Sequence, residues 1–204
     1  MTPEEVLALF RESGALLEGH FELSSGLHSD RYFQCAKLLE DPKRAERLAQ
    51  ALAATVPAPV DLVVGPALGA VVWAQEMARA LGTRAFFTER SGGEMTLRRG
   101  FSVTPGERVL IVEDVITTGG SAREALIVIR DLGAEIVGVG TILNRSGGNP
   151  FESGAGDDLP LFSLAEVQAT AWETDACPLC AAGGQAVKPG SRPNAASAAG
   201  GASA

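Results

Sequence analysis

Positive charge is scarce in this chain: 17 Lys plus Arg stand against 25 Asp plus Glu, a net charge of −8. A protein that coats nucleic acid needs the opposite balance, so that class is set aside while a local basic site is still allowed. Cysteine is scarcer, three residues in 204. An odd number in a chain of this length does not make the disulfide framework of a small secreted domain. Long apolar runs are lacking too: none approaches the roughly 20 residues a membrane span requires. The opening MTPEEVLALFRESG carries acids where a secretion signal carries positive charge. These absences predict a soluble, cytoplasmic protein that binds neither membrane nor nucleic acid. What is plentiful is apolar surface, 46% hydrophobic against 21% charged residues, enough for one α/β domain with a full core and a small addition.

Helix and strand signals alternate along the chain. TPEEVLALFRESG has Thr2 as N-cap, Pro3 in the first turn, Glu5 closing a capping box and Gly14 as stop. EDPKRAERLAQALAA repeats that pattern with Asp41 and Pro42. DLVVGPALGAVVWAQEMARALG then reads as strand, glycine turn and helix, and TRAFFTER as the next strand. ERVLIVEDV, SAREALIVIRDLGA and EIVGVGTILNR make a further strand–helix–strand unit, rich in Val, Ile and Leu as a doubly buried parallel strand requires. The expectation is an α/β fold with a doubly wound, mainly parallel sheet. SLAEVQATAWETDA, with a capping box at Ser163 and Glu166, is predicted as a helix. From Gly183 onward the chain is mostly Gly, Ala, Ser and Pro, and 183–204 is expected to be disordered.

The stretch VLIVEDVITTGGSAREAL, residues 109–126, carries the chemistry. A strand over 109–112 is expected to end in two acids, with a helix from about 121 onward. Ligands of open α/β sheets sit at such carboxyl ends. Thr117, Thr118, Gly119, Gly120 and Ser121 offer hydroxyls and unhindered N–H groups at a helix start, which suits a phosphate monoester. No Lys follows the glycines, so this is not a P-loop, and the G-x-G-x-x-G of dinucleotide folds is missing. Glu113 and Asp114 suit sugar hydroxyls and can hold Mg²⁺ through water. A sugar phosphate satisfies both halves.

VLIVEDVITTGGS resembles the 5-phosphoribosyl-1-diphosphate (PRPP) motif of type I phosphoribosyltransferases. The resemblance implies that Glu113 and Asp114 bind the ribose 2′ and 3′ hydroxyls, that the loop Thr117, Thr118, Gly119, Gly120 and Ser121 holds the 5′-phosphate, and that Val115 and Ile116 belong to the same PRPP site. FELSSGLHSDRYFQCAKLLEDP, residues 21–42, is similar to the N-terminal hood of orotate phosphoribosyltransferases. That likeness implicates Ser25, Gly26, Ser29, Tyr32 and Phe33. TILNRSGG resembles the strand end where this family places an arginine near orotate, which gives Arg145; Thr117 joins it, Tyr32 and Phe33 as the expected orotate contacts. The resemblance covers about residues 1–190 and implies a hood over about 1–40 on a core of about 41–182. It also implies Mg²⁺ carried with PRPP, and a homodimer whose loops reach across to the neighbour.

Several positions depart from the better-known pattern. The family's long loop with Lys and His is shortened here to FTERSGGEMTLRRGF, with Arg90, Arg98 and Arg99. GPALGA, residues 65–70, lacks a Lys often found in the pyrophosphate loop, and Ser24 stands where other members have Lys. Arg90, Arg98 and Arg99 are therefore the cations expected to face pyrophosphate and, with Asp114, the expected catalytic residues. The implied reaction passes through a ribocation-like transition state with inversion at C1′, and needs no covalent enzyme intermediate. Each well-placed cation contributes roughly 2.7–4 kcal/mol, by analogy with oxyanion donors. The alternatives are transfer to a purine or uracil, or a PRPP-sensing regulator that binds nucleic acid; the regulator lacks the clustered basic face it needs.

CPLC, Cys177 and Cys180, is half of a zinc site, a redox pair or two structural thiols. No four ligands are found near it in sequence, so no metal ligand is assigned. Cys35 as a third ligand, or pairs pooled from two chains, are the routes left open. His28 is read as a hydrogen-bonded structural residue.

Overall fold

The computed structural model describes residues 1–23, 26–57, 59–152, 158–168 and 170–189. Helix α1 (Pro3–Glu12) begins at Thr2, whose hydroxyl accepts from the Glu5 N–H while the Glu5 carboxylate accepts from the Thr2 N–H. This box satisfies donors that a helix start otherwise leaves open. Strands β1 (Leu16–Glu22) and β2 (His28–Phe33) follow, then a short helix, α2 (Cys35–Leu39). Helix α3 (Pro42–Ala53) is capped by Asp41, which accepts from the Lys43 N–H at 3.0 Å. The chain continues through β3 (Leu62–Pro66), α4 (Gly69–Leu81), β4 (Arg84–Ser91), β5 (Glu94–Thr96), β6 (Arg108–Ile116), α5 (Gly120–Asp131), β7 (Glu135–Asn144) and β8 (Leu161–Glu166). It closes with β9 (Ala171–Trp172), a 3₁₀ turn at Thr174–Ala176 and α6 (Pro178–Ala181).

Two compact units result, one from residues 1–17 and 33–169, the other from 18–32 and 170 onward. The larger unit holds a six-stranded sheet in the order β5-β4-β3-β6-β7-β8, parallel throughout except for the antiparallel edge strand β5. Strand alternation sorts its core into two layers. Val63, Leu110 and Val112 face α1, α3 and α4, with Phe10, Leu48, Leu52, Trp73 and Met77. Leu62, Val64, Val109 and Ile111 face α5, with Ala122, Leu126 and Ile129. Side chains such as Leu110 and Ile111, both at 0% exposure, contribute roughly 1.5–3 kcal/mol each. At Gly65 a Cβ would lie 2.8 Å from that of Ala70, so only glycine lets α4 start this close to β3. The doubly wound, mainly parallel sheet is the architecture expected from the sequence.

The smaller unit is a three-stranded sheet in the order β1-β2-β9, with β2 and β9 antiparallel and His28 opposite Trp172. Val187 bridges to Phe21, and its N–H donates to His20 O at 2.8 Å.

Three expectations change. Strand β6 runs on to Ile116 rather than ending at Val112, because β7 continues to pair with it as far as Ile116 opposite Asn144. Residues 161–166 form strand β8 rather than a helix start. Ser163 Oγ does donate to Glu166 Oε1 at 3.2 Å, but the parallel ladder with β7 overrides the local cap signal. Residues 183–189 include a segment paired with β1; the rest of the predicted tail, 190–204, lies outside the described residues. By compactness, α1 and residues 33–40 group with the larger unit and the C-terminal segment with the smaller one.

Candidate active site

The two acids leave β6 on opposite faces of the sheet. Glu113 continues the alternation of Val109 and Ile111 toward α5, and accepts a hydrogen bond from the Ala122 N–H. Asp114 continues that of Leu110 and Val112. A Cβ on Gly69 would lie 3.3 Å from Asp114 Oδ1, so the turn 66–69 that opens α4 stands against this carboxylate. Asp114 Oδ1 accepts from the Val115 N–H at 2.9 Å. Burial, and then the charge of Asp114, raise the Glu113 pKa from 4.5 to about 7. Burial also raises Asp114, against the hydrogen bond from Val115. Two half-buried carboxylates whose pKa values are both raised are held at electrostatic cost, a common mark of a functional site.

Thr117 and Thr118 are exposed on the turn that follows. Gly119 is left-handed (φ 72°, ψ 14°) and is the N-cap of α5, with no side-chain cap. A Cβ there would lie 3.0 Å from Phe151 Cζ, so glycine is required by both conformation and space. The uncapped first turn leaves the N–H groups of Gly120 and Ser121 for an anion, at the positive end of a 12-residue helix.

Arg145 stands beside this turn by register. Ile116 and Asn144 are opposite one another, and the Arg145 N–H donates to Ile116 O at 2.7 Å, so Arg145 and Thr117 emerge together from neighbouring strands. The Arg145 guanidinium is buried and lies 5.0 Å from the centroid of the Phe33 ring. Phe33 in turn packs edge-on against Phe10. Tyr32 belongs to the smaller unit and packs against Phe21, with ring centroids 5.9 Å apart. Ser29 is fully buried and donates to Thr170 O, a structural bond within the smaller unit, and Gly26 takes the positive φ of the β1–β2 turn. Ser24 and Ser25 lie outside the described residues.

The three expected pyrophosphate arginines occupy the β4–β5 hairpin and the segment after it. Arg90 pairs with Glu124 of α5 at 2.7 Å. Arg99 pairs with Glu89 at 2.9 Å, and Arg98 reaches the same carboxylate at 4.0 Å. All three are at least half exposed. In a single chain they are therefore engaged by acids of their own hairpin and helix, not gathered around Asp114.

The structure also assembles what sequence spacing did not show. His20 and His28, from the paired strands β1 and β2, meet Cys177 and Cys180. Cys35 is not part of that group; its sulfur lies 4.0 Å from Asp114 O, and burial raises its pKa well above the ordinary thiol value. The available signal was compositional, since the chain has only two histidines.

Comparison with known proteins places this geometry among relatives. The family profile of the phosphoribosyl transferase domain matches residues 36–157. An orotate phosphoribosyltransferase of Acidithiobacillus ferrooxidans is 51% identical over 196 residues, covering 94% of this chain and 98% of the relative. One from Carboxydothermus hydrogenoformans is 49% identical, covering 92% of this chain and 97% of the relative. Among solved structures, the orotate phosphoribosyltransferase of Aeropyrum pernix superposes with a TM-score of 0.65 at 27% identity, over 80% of this chain and 94% of that one. The Mycobacterium tuberculosis enzyme in complex with inorganic phosphate gives 0.61 at 29% identity, over 79% and 94%.

Proposed function

This chain belongs to the orotate phosphoribosyltransferases, and from that membership we propose how its residues divide the work of the reaction. The reaction moves the 5-phosphoribosyl group from PRPP to orotate, giving orotidine 5′-monophosphate and pyrophosphate in pyrimidine biosynthesis. One observation carries the residue assignment: the register of β6 and β7 sets the acids, the uncapped helix start and a buried guanidinium at one sheet edge.

The 5′-phosphate takes the N–H groups of Gly120 and Ser121 and the hydroxyls of Thr117, Thr118 and Ser121, with Val115 and Ile116 fixing the turn. The ribose sits across the end of β6, where Glu113 and Asp114 accept from its 2′ and 3′ hydroxyls. Arg145, steadied against Phe33, meets the orotate carboxylate with parallel charge-assisted hydrogen bonds that uracil cannot form. Thr117, beside Arg145, completes the base site on this unit. As the C1′–pyrophosphate bond breaks, positive charge grows on the ribose and negative charge on the leaving group; orotate N1 attacks from the opposite face. The protein holds the reactants in line and keeps compensating charge in place, and none of its groups forms a bond to carbon.

The hard oxygen donors of Glu113 and Asp114, which form no ion pair among the described residues, fit Mg²⁺ arriving with PRPP. Bound there, the ion would neutralise phosphate charge. A homodimer is part of the same reading. Its support is a groove lined largely by apolar side chains, Val71, Val72, Phe86, Phe87 and Phe101, in which Val72 is 51% exposed. No helix among the described residues is long and apolar enough to cross a membrane; a cytoplasmic site of action is the accompanying proposal.

Incubating the protein with Mg²⁺, PRPP and, separately, orotate, uracil, adenine, xanthine or hypoxanthine tests the reading. Nucleotide is expected with orotate alone. Equal turnover of uracil would remove Arg145 from the specificity role.

A further inference from the structure

The smaller unit has little apolar material to hold it. Among its described residues only Phe21 and Cys177 are buried apolar side chains, and none of its residues joins either large apolar cluster. Units this poor in core are usually stapled by a disulfide or a metal. No disulfide serves here, since Cys177 and Cys180 are free thiols.

We propose that His20, His28, Cys177 and Cys180 form a closed tetrahedral site for a structural Zn²⁺ that joins β1, β2 and the segment around α6. The four candidate donor atoms all lie within 4.8 Å of one another. Measured edges are 2.9 Å for His20 Nε2 to His28 Nδ1, 3.5 Å for Cys177 Sγ to His20 Nε2, 3.7 Å for Cys180 Sγ to His20 Nε2, and 3.2 Å for Cys180 Sγ to His28 Nδ1. A regular tetrahedron with Zn–N of about 2.05 Å and Zn–S of about 2.3 Å has edges of about 3.3 Å for N···N and about 3.5 Å for N···S. The four side chains thus already stand close to the size of a zinc sphere.

Local structure explains how they converge. Cys177 is the N-cap of α6 and Cys180 lies within its single turn, closed by the Ala181 N–H donating to Cys177 O at 3.1 Å. Both sulfurs therefore issue from one turn, while the histidines come from the two adjacent strands. His28 Nε2 stands 3.4 Å from Thr174 Oγ1, a partner that fixes the tautomer leaving Nδ1 free to ligate. A Cβ on Gly184 would press to 3.3 Å from His20 Nδ1, so glycine there lets the chain fold over the second imidazole. Two thiolates cancel the charge of the dication, which permits the burial seen for Cys177 and His28. Two nitrogens and two sulfurs with no open position suit zinc held for structure rather than for catalysis.

The protein, purified under reducing conditions and passed through a chelator, is expected to retain about one Zn²⁺ per chain by mass spectrometry of metals. Replacement by Co²⁺ should give the absorption of a tetrahedral site with thiolate-to-cobalt charge transfer. Cys177→Ser with Cys180→Ser, and separately His20→Ala, should lose the metal, while Cys35→Ala keeps it. Because these variants can also unfold the unit, hydrogen exchange is followed on the unaltered chain. Stripping zinc with a thiol-blocking mercurial should raise exchange in residues 18–32 and 170–182 by about tenfold or more and leave β3, β6 and β7 unchanged. A chain without zinc that gives no cobalt charge transfer on reconstitution overturns the proposal. Full zinc retention by the double cysteine variant does so as well, and so does a Cys177–Cys180 disulfide in a zinc-free protein.

Discussion

Glu113 shows at a single residue what holding a half-buried carboxylate costs in stability. A carboxylate whose pKa is raised by folding binds its proton more tightly in the native state. Its contribution to stability is therefore complete below the ordinary 4.5 and is lost as pH rises through about 7. That difference corresponds to about 3 kcal/mol. Glu113→Gln keeps an oxygen for the Ala122 N–H but carries no charge, so it should be more stable than the unaltered chain at pH 8 by about 1–3 kcal/mol and nearly equal at pH 4. Urea unfolding at the two pH values checks this, and an equal gain at both would show that the carboxylate charge is not the cause. The same substitution should raise the KM for PRPP and flatten its fall with pH between 6 and 8. Arg145→Ala should raise the KM for orotate and leave that for PRPP nearly unchanged, lowering kcat/KM by roughly tenfold to a hundredfold. Arg145→Lys should recover part of this, since an ammonium keeps the charge without the planar fork. Equal loss of both substrates would make Arg145 a phosphate-side or structural residue. Glu113, Asp114 and the Thr–Gly turn were legible because they are consecutive. His20 and Cys177 were not, because β1 and α6 meet only through tertiary structure.

Elements with strong local signals were the easiest to read. The caps at Thr2 and Asp41 and the apolar strands β3, β6 and β7 fall where propensity and periodicity put them, since local and global preferences agree there. β8 departs from the helix its sequence predicts because Ser163 and Glu166 satisfy a helix rule that pairing with β7 overrides. The acids fall within β6 rather than after it, although charge normally marks a strand end, because the ladder to Asn144 keeps them in register. The turn between β6 and α5 tests this element directly. Gly119→Ala forces a side chain into the left-handed region and against Phe151. It should cost about 2 kcal/mol, lower the Tm by about 4–8 °C, and raise the KM for PRPP more than that for orotate. A variant with unchanged Tm and PRPP kinetics would show that the turn tolerates a side chain and does not set the phosphate site.

At the scale of the whole molecule, the three arginines expected to face pyrophosphate are paired within a single chain. The hairpin arginines contact Glu89 and Glu124, and the left-handed Arg99 (φ 61°) also lies over Phe87, 5.5 Å from the ring centroid. Such exposed pairs are worth roughly 0.2–1 kcal/mol, little enough for a polyphosphate to displace them. The apolar groove at Val72 and Phe87 borders β4, which runs into that hairpin, so a second copy seated there would bring the two hairpins near the shared face. If Arg99 serves the neighbour's pyrophosphate, a heterodimer of Asp114→Asn and Arg99→Ala subunits contains one site with both lesions and one with neither. Mixing the two inactive variants after subunit exchange should then restore about a quarter of the activity of the unaltered protein, since half the dimers are mixed and each has one intact site. If Arg99 serves its own site, every site in the mixture carries a lesion and no activity returns. Exchange is verified by mass spectrometry of differently tagged subunits, so silence in a proven heterodimer would count against action across the interface. Arg98→Ala, tested in the same way, separates the two neighbours, and Arg90→Ala should fail to complement if its pairing with Glu124 keeps it at its own subunit's site.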